Sequence, residues 1–152
     1  MHPADSLYLH PILSAMIYIT RKEHFNAAHK LHNPNWTEEK NNEVFGKCAN
    51  PNWHGHNYNL YVTVKGNVNP DTGYSVNLKE LSVIIRTHIT DKLDHKNLNL
   101  DVPFLKGLMP STENVAIAIW KELLPYINTL DCKLHCIKLY ETENNYVEYF
   151  GE

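Results

Sequence analysis

The sequence predicts a single α+β domain, an antiparallel sheet with two helices on one face. Three observations predict it. Two long segments, Ile17 to His29 and His54 to Val68, alternate apolar and polar residues with the period of a half-buried strand. Two others, from Leu78 and from Ser111, repeat their apolar residues at helical spacing. A third alternating segment, Leu134 to Thr142, is joined to a fourth, Tyr146 to Phe150, by Glu143-Asn144-Asn145, residues suited to a hairpin turn. The order is β-β-α-α-β-β, and the expected product is a four-stranded sheet under a helical layer.

Its 152 residues fit one domain. Composition is ordinary for a globular chain, 43% hydrophobic and 20% charged. A net charge of -3 lacks the basic footprint of a nucleic-acid binder. No apolar run approaches the ~18 residues of a membrane span, so no membrane partner is expected. Residues 1–15 hold Pro3, Pro11 and Asp5 but no Lys or Arg, which suits neither a signal peptide nor a mitochondrial leader. They read as a disordered extension before a domain spanning 16–152. The three cysteines are an odd number, against a full disulfide framework, and a reducing cytoplasm fits them. Cys132 and Cys136 have no matching second pair and read as packing or surface thiols.

In the first strand Ile17, Ile19 and Phe25 share one parity, and His29 stands at its end. Residues 30–47 are polar and read as a long loop that delivers Cys48. In the second strand the even positions, from His54 and His56 through Tyr58, Leu60, Val62 and Val64, make one apolar face with two histidines at its rim. Asn69-Pro70-Asp71-Thr72-Gly73 is a turn. The first helix carries Leu78, Leu81, Ile84, Ile85, Ile89 and Leu93, with Asn77 as N-cap. Residues 99–110 are a linker. Ser111 or Thr112 caps the second helix, whose buried stripe is Ala116, Ile119, Trp120, Leu123 and Ile127.

The chemistry gathers around Cys48-Ala49-Asn50-Pro51-Asn52-Trp53-His54-Gly55-His56. His54 and His56 are two apart, so both imidazoles face one side of a strand. Such a pair is half a metal site, or simply a polar patch. His29 is the candidate third ligand. Three imidazoles without a thiolate shell suit a catalytic zinc with an open position. Cys48 is a candidate general base, or an incidental thiol. Asp94-His95 sets a carboxylate beside an imidazole, as a proton relay requires, though taken alone the pair reads more readily as helix-end charge. Glu141 shares its parity with Ile137 and Leu139, and a carboxylate on an apolar face must be paired or bind something, unless the strand end leaves it in water. A heterocycle offering two adjacent N–H groups would suit it.

These residues resemble the 6-pyruvoyltetrahydropterin synthase family. The stretches that carry the likeness are Phe25 to His32, Val44 to Cys48, Pro51 to Tyr58, Leu93 to Leu98, Ser111 to Val115 and Tyr140 to Thr142. They follow the family's order across nearly all of Tyr18 to Glu152. The likeness implies the tunnelling fold (T-fold), in which three subunits join sheet to sheet as a barrel and two trimers stack into a homohexamer. It implies conversion of 7,8-dihydroneopterin triphosphate to 6-pyruvoyltetrahydropterin plus triphosphate, a step of tetrahydrobiopterin synthesis. By that likeness His29, His54 and His56 hold Zn2+, and Cys48 abstracts protons. Asp94 and His95 form the relay at a subunit boundary, and Glu141 anchors the pterin with Thr112 and Glu113 nearby. Lys30, Lys47 and Arg21 are the candidates for meeting the triphosphate.

In the related 6-carboxytetrahydropterin synthase branch the cysteine usually stands three residues before His-Gly-His; here five residues, Ala49 to Trp53, intervene. A further branch carries glutamate in place of the cysteine. Trp53 stands where the family commonly has glycine, so a large ring either narrows the pocket mouth or packs outward. A non-catalytic pterin-binding oligomer on the same fold is the alternative from a different class.

Overall fold

The computed structural model describes residues 15–152. The expected extension over residues 1–15 therefore lies, save its last residue, outside the described part. Strand β1 is Met16–His29, and β2 is His54–Asn67, paired antiparallel over their whole length from Met16↔Asn67 to His29↔His54. Strand β4 is Lys133–Tyr140 and β5 is Tyr146–Tyr149. A fifth, unexpected strand, β3 (Lys96–Asn97), runs parallel to β1 at Ala27 and Ala28. The sheet order is β3-β1-β2-β4-β5, open at both ends. Two polar residues carry no detectable period, which is why β3 escapes a pattern search.

One face of the sheet packs on helices. Phe25, Tyr58, Leu60, Val62, Val64, Ile137 and Leu139 are buried against Leu81, Ile85, Ile89 and Leu93 and against Val115, Ile119, Leu123 and Ile127. The expected 78–93 helix is α2 (Leu78–Ile85), a π turn (Arg86–Thr90) and α3 (Asp91–Leu93) in succession. Its buried residues from Leu81 to Leu93 recur every fourth position. In an α-helix a spacing of four drifts about 40° per step. The wider π turn absorbs that drift and keeps Ile89 and Leu93 on the core side. Leu78, expected in the stripe, is exposed. Asn77 caps α2, its Oδ1 accepting from Lys79 and Glu80 N–H. Ser111 caps α4 (Thr112–Ile127) by accepting from Asn114 N–H.

Residues 30–47 are not a plain loop, because Glu38–Phe45 is helix α1. Its first six residues are polar and its two apolar ones, Val44 and Phe45, are adjacent at its end, so no apolar stripe announces it. Two side chains hold it instead. Thr37 caps it by accepting from Lys40 N–H. Asn41 is fully buried: its Oδ1 accepts from Asn33 N–H, and its amide donates to the Asn33 and Thr37 carbonyls. A 3-10 turn, Gly46–Ala49, follows and carries Cys48. Cys132 and Cys136 are buried free thiols, as a packing role requires. No helix among the described residues is long and apolar enough to cross a membrane.

Candidate active site and metal centre

The His29↔His54 pair ends the β1–β2 ladder, and His56 lies one step inward on the same face. Because the ligand-bearing residues share the parity of the core, their rings turn toward the helices rather than water. One ligand atom from each of the three histidines falls within 4.8 Å of the others. The rings meet edge to face, with centroids 4.5 Å apart for His29 and His54, 5.1 Å for His29 and His56, and 5.0 Å for His54 and His56.

The state of His29 follows from its neighbours. Its Nδ1 lies 2.8 Å from the Pro110 carbonyl oxygen, which can only accept, so Nδ1 carries the proton. Nε2 is left as a bare lone pair in a side chain only 1% exposed. That nitrogen and both ring nitrogens of His54 are buried without a partner. Glu141 Oε1 faces the cluster, 3.5 Å from His29 Nε2 and 3.7 Å from His56 Nε2. Lone pairs and a carboxylate converging on one spot repel unless a cation lies among them. Burial holds all three imidazoles below the ordinary 6.5, hence neutral and able to ligate. The donor set fits a divalent metal ion. Beneath it, buried Tyr58 brings its hydroxyl to 3.4 Å from His29 Nδ1. Burial, and then the charge of Glu141, pushes that phenol well above its usual range.

Glu141 also belongs to a cavity of about 330 Å³ shared with Cys48, Thr112 and Glu113. Strand β4 stops at Tyr140, so Glu141 is the first residue past the strand and not on it, though its parity still turns it toward the histidines. Cys48 is tied to the strand end by Leu31 N–H, which donates to the Cys48 carbonyl at 2.8 Å. Thr112 and Glu113 arrive with the first turn of α4, just past Pro110.

Asp94 and His95 do form a pair: His95 Nδ1 lies 2.8 Å from Asp94 Oδ2, so Nδ1–H donates. Asp94 Oδ1 accepts from Asn26 N–H at 2.8 Å. That bond, then the one from His95, holds the Asp94 carboxyl below its usual range. His95 sits at φ 59° with its side chain 79% exposed. It lines a different cavity, about 510 Å³, with Asn26, Gly55 and His56. One chain thus assembles the histidines, Cys48, Thr112, Glu113 and Glu141, and sets His95 apart from Cys48. Trp53 adopts φ 67°, and its indole packs under Lys30, whose Nζ is 4.8 Å from the ring centroid. It is not among the residues lining the Cys48 cavity.

Sequence reasoning missed two contributors. Pro110 acts through a backbone carbonyl, which leaves no side-chain signature. Tyr146 lines the Cys48 cavity from the far side of the hairpin; its only signal is that it lies five residues after Glu141.

The chain is similar to known proteins of one family. The family model described as 6-pyruvoyl tetrahydropterin synthase matches residues 18–152. A Dictyostelium discoideum protein named 6-pyruvoyl tetrahydrobiopterin synthase is 44% identical over 140 residues, 92% of this chain and 100% of that protein. A Homo sapiens protein of the same name is 43% identical over 134 residues, 88% of this chain and 91% of that one. The solved structure of Caenorhabditis elegans 6-pyruvoyl tetrahydropterin synthase superposes with a TM-score of 0.84 at 34% identity, covering 91% of this chain and 98% of that one. The chain belongs to the 6-pyruvoyl tetrahydropterin synthase family.

Proposed function

We propose that the chain is a zinc-dependent 6-pyruvoyltetrahydropterin synthase, a lyase that converts 7,8-dihydroneopterin triphosphate to 6-pyruvoyltetrahydropterin with loss of triphosphate. The observation that carries the reading is that Glu141 joins two features: it stands against the three-imidazole cluster and lines the cavity that holds Cys48, Thr112 and Glu113.

His29, His54 and His56 would hold the ion, and an all-imidazole set without thiolate favours zinc in a catalytic role. Bound there, zinc would polarise the oxygens of the ligand's side chain and acidify the adjacent C–H bonds. Cys48, as thiolate, takes the carbon-bound proton. Glu141 and Glu113 accept from the N–H edge of the pterin, with Thr112 beside them. In the Asp94–His95 pair the carboxylate fixes the proton on Nδ1, so Nε2 is the atom that moves a proton.

His95 and Cys48 line different cavities of one chain. We assign the relay to Cys48 of a neighbouring copy in a homo-oligomer, a reading that this separation supports. The open sheet ends favour the barrel of three, stacked as a hexamer, that the T-fold implies. Residues 16–152 form the single synthase domain. Three free cysteines fit a reducing, cytoplasmic setting.

The test is turnover of dihydroneopterin triphosphate by zinc-loaded protein, with the product identified. A carboxy product assigns it to the sister branch, and tight pterin binding without triphosphate release makes it a binder. Cys48→Ala is expected to lower turnover by about 10²–10⁴-fold, with zinc content by metal analysis unchanged. Full activity in that variant removes Cys48 from the mechanism.

A further inference from the structure

We propose that Asn99 is a positioning residue for proton abstraction, one that fixes where Cys48 stands relative to the ion site. This rests on the reading of Cys48 as the base and adds a residue which that reading does not use.

In an antiparallel pair, alternate residues turn their N–H and carbonyl away from the partner strand. At the end of β1 these are Asn26, Ala28 and Lys30, and the chain from Asp94 to Asn99 meets them in turn. Asp94 Oδ1 accepts from Asn26 N–H, and the Asn26 carbonyl accepts from His95 N–H at 2.6 Å. Leu98 N–H donates to the Ala28 carbonyl at 2.8 Å. Lys30, one residue past the strand, is met by a side chain instead. Asn99 Oδ1 accepts from Lys30 N–H at 3.0 Å, and Asn99 Nδ2 donates to the Lys30 carbonyl at 3.0 Å. One primary amide thus reproduces the donor and acceptor of a neighbouring strand.

The peptide it holds is the joint of the site. Lys30 stands between His29, whose ring faces the ion site, and Leu31, which lines the Cys48 cavity. Leu31 N–H in turn donates to the Cys48 carbonyl at 2.8 Å. The separation of the thiol from the imidazoles is therefore set through Lys30. Asn99 is itself fixed: its N–H donates to Asn97 Oδ1 at 3.0 Å, and Asn97 N–H donates to Asp101 Oδ2 at 2.9 Å. Asn97 and Asp101 line the His95 cavity, so one amide ties the Cys48 side of the chain to its His95 side. Thr112, Glu113 and Glu141, the groups that would hold the pterin, lie on α4 and past the end of β4. Loss of the clamp should therefore move the base and leave the anchors in place. A misplacement of about 1 Å costs a reaction about 10²-fold.

The experiment uses the full-length zinc-loaded chain, with dihydroneopterin triphosphate as substrate and neopterin as binding probe. Iodoacetamide reports on Cys48, because Cys132 and Cys136 are buried and Cys48 is not. Asn99→Ala is expected to lower kcat by about 10- to 100-fold. KM and the neopterin Kd should stay within about threefold, with zinc content unchanged. Saturating neopterin should slow alkylation of Cys48 in wild type and slow it less in the variant. Asn99→Leu, which keeps the bulk and loses both hydrogen bonds, should match Asn99→Ala. Asn99→Asp, which keeps the acceptor for Lys30 N–H, should fall between these and wild type. Wild-type kcat in the Ala or Leu variant overturns the proposal, and so does equal shielding of Cys48 in the two proteins. A loss shared equally by kcat, zinc content and neopterin affinity also overturns it, since that is general loosening. Should Ala and Leu both fail to fold, Asn99→Asp decides: lowered kcat at unchanged neopterin Kd supports positioning, and wild-type kcat overturns it. If Cys48→Ala keeps full activity, the reading of the base falls and this one with it. If Cys48→Ala is inactive and Asn99→Ala matches wild type, the positioning role alone falls.

Discussion

Phe25 of β1 and Tyr58, Leu60 and Val62 of β2 are buried completely, with the Phe25 and Tyr58 rings stacked 4.8 Å apart and an Arg21–Glu23 ion pair opposite Leu60 and Val62. Four residues further along β1 the same ladder, with the same pleat and the same face, ends on His29 and His54, where His29 Nε2 and both His54 nitrogens lack partners. The first stretch lowers the energy of the fold. The second raises it, because unpaired buried polar groups cost about 1–3 kcal/mol each. Such a cost persists in a folded domain where something binds, and a metal ion would turn the deficit into affinity.

Substitutions at the two ends should move stability in opposite directions. The largest effect is expected in the middle: Leu60→Ala should cost about 2–5 kcal/mol through the cavity it leaves, read from denaturant unfolding. At the rim, His54→Leu should stabilise the metal-free protein by about 1 kcal/mol, since an apolar group replaces two unpaired nitrogens. The same variant should lose metal binding, checked by competition with a chelator. A destabilised apo His54→Leu protein would mean that the rim is ordinary core.

The smallest effect is in pH. Burial keeps His29, His54 and His56 below 6.5 in the folded chain. As pH falls through 6.5 the unfolded chain therefore takes up protons that the folded one does not. Metal-free stability should be full above about 6.5 and decline below it. Melting temperatures at pH 7.5 and 5.5 would check this, and the decline should be shallower in His54→Leu.

The features legible in the sequence were those with a period. Alternation located β1 and β2, and parity placed His54 and His56 on one side of their strand and Glu141 with Ile137 and Leu139 on its own; His29 was a candidate from its place at a strand end. Spacing located the two long helices; Asn77 was identifiable as a cap from its chemistry, and the second cap was narrowed to Ser111 or Thr112. What escaped notice depends on contacts across the chain. Helix α1 has no apolar stripe and exists because the Asn41 amide closes a knot with residue 33. Strand β3 is too short to carry a pattern. Asp94 and His95 are neighbours in any conformation, so their pairing was readable, but the cavity they serve is set by where β3 docks on β1.

The bond from His29 Nδ1 to the Pro110 carbonyl spans 81 positions of the chain. On one side of it is the ring whose other nitrogen faces the ion site; on the other is the peptide that leads into Ser111, Thr112 and Glu113. Any coupling between loading the imidazoles and filling the neighbouring cavity would have this bond as one route and Glu141 as another. Whatever factor the first event adds to the affinity of the second, the second must return to the first.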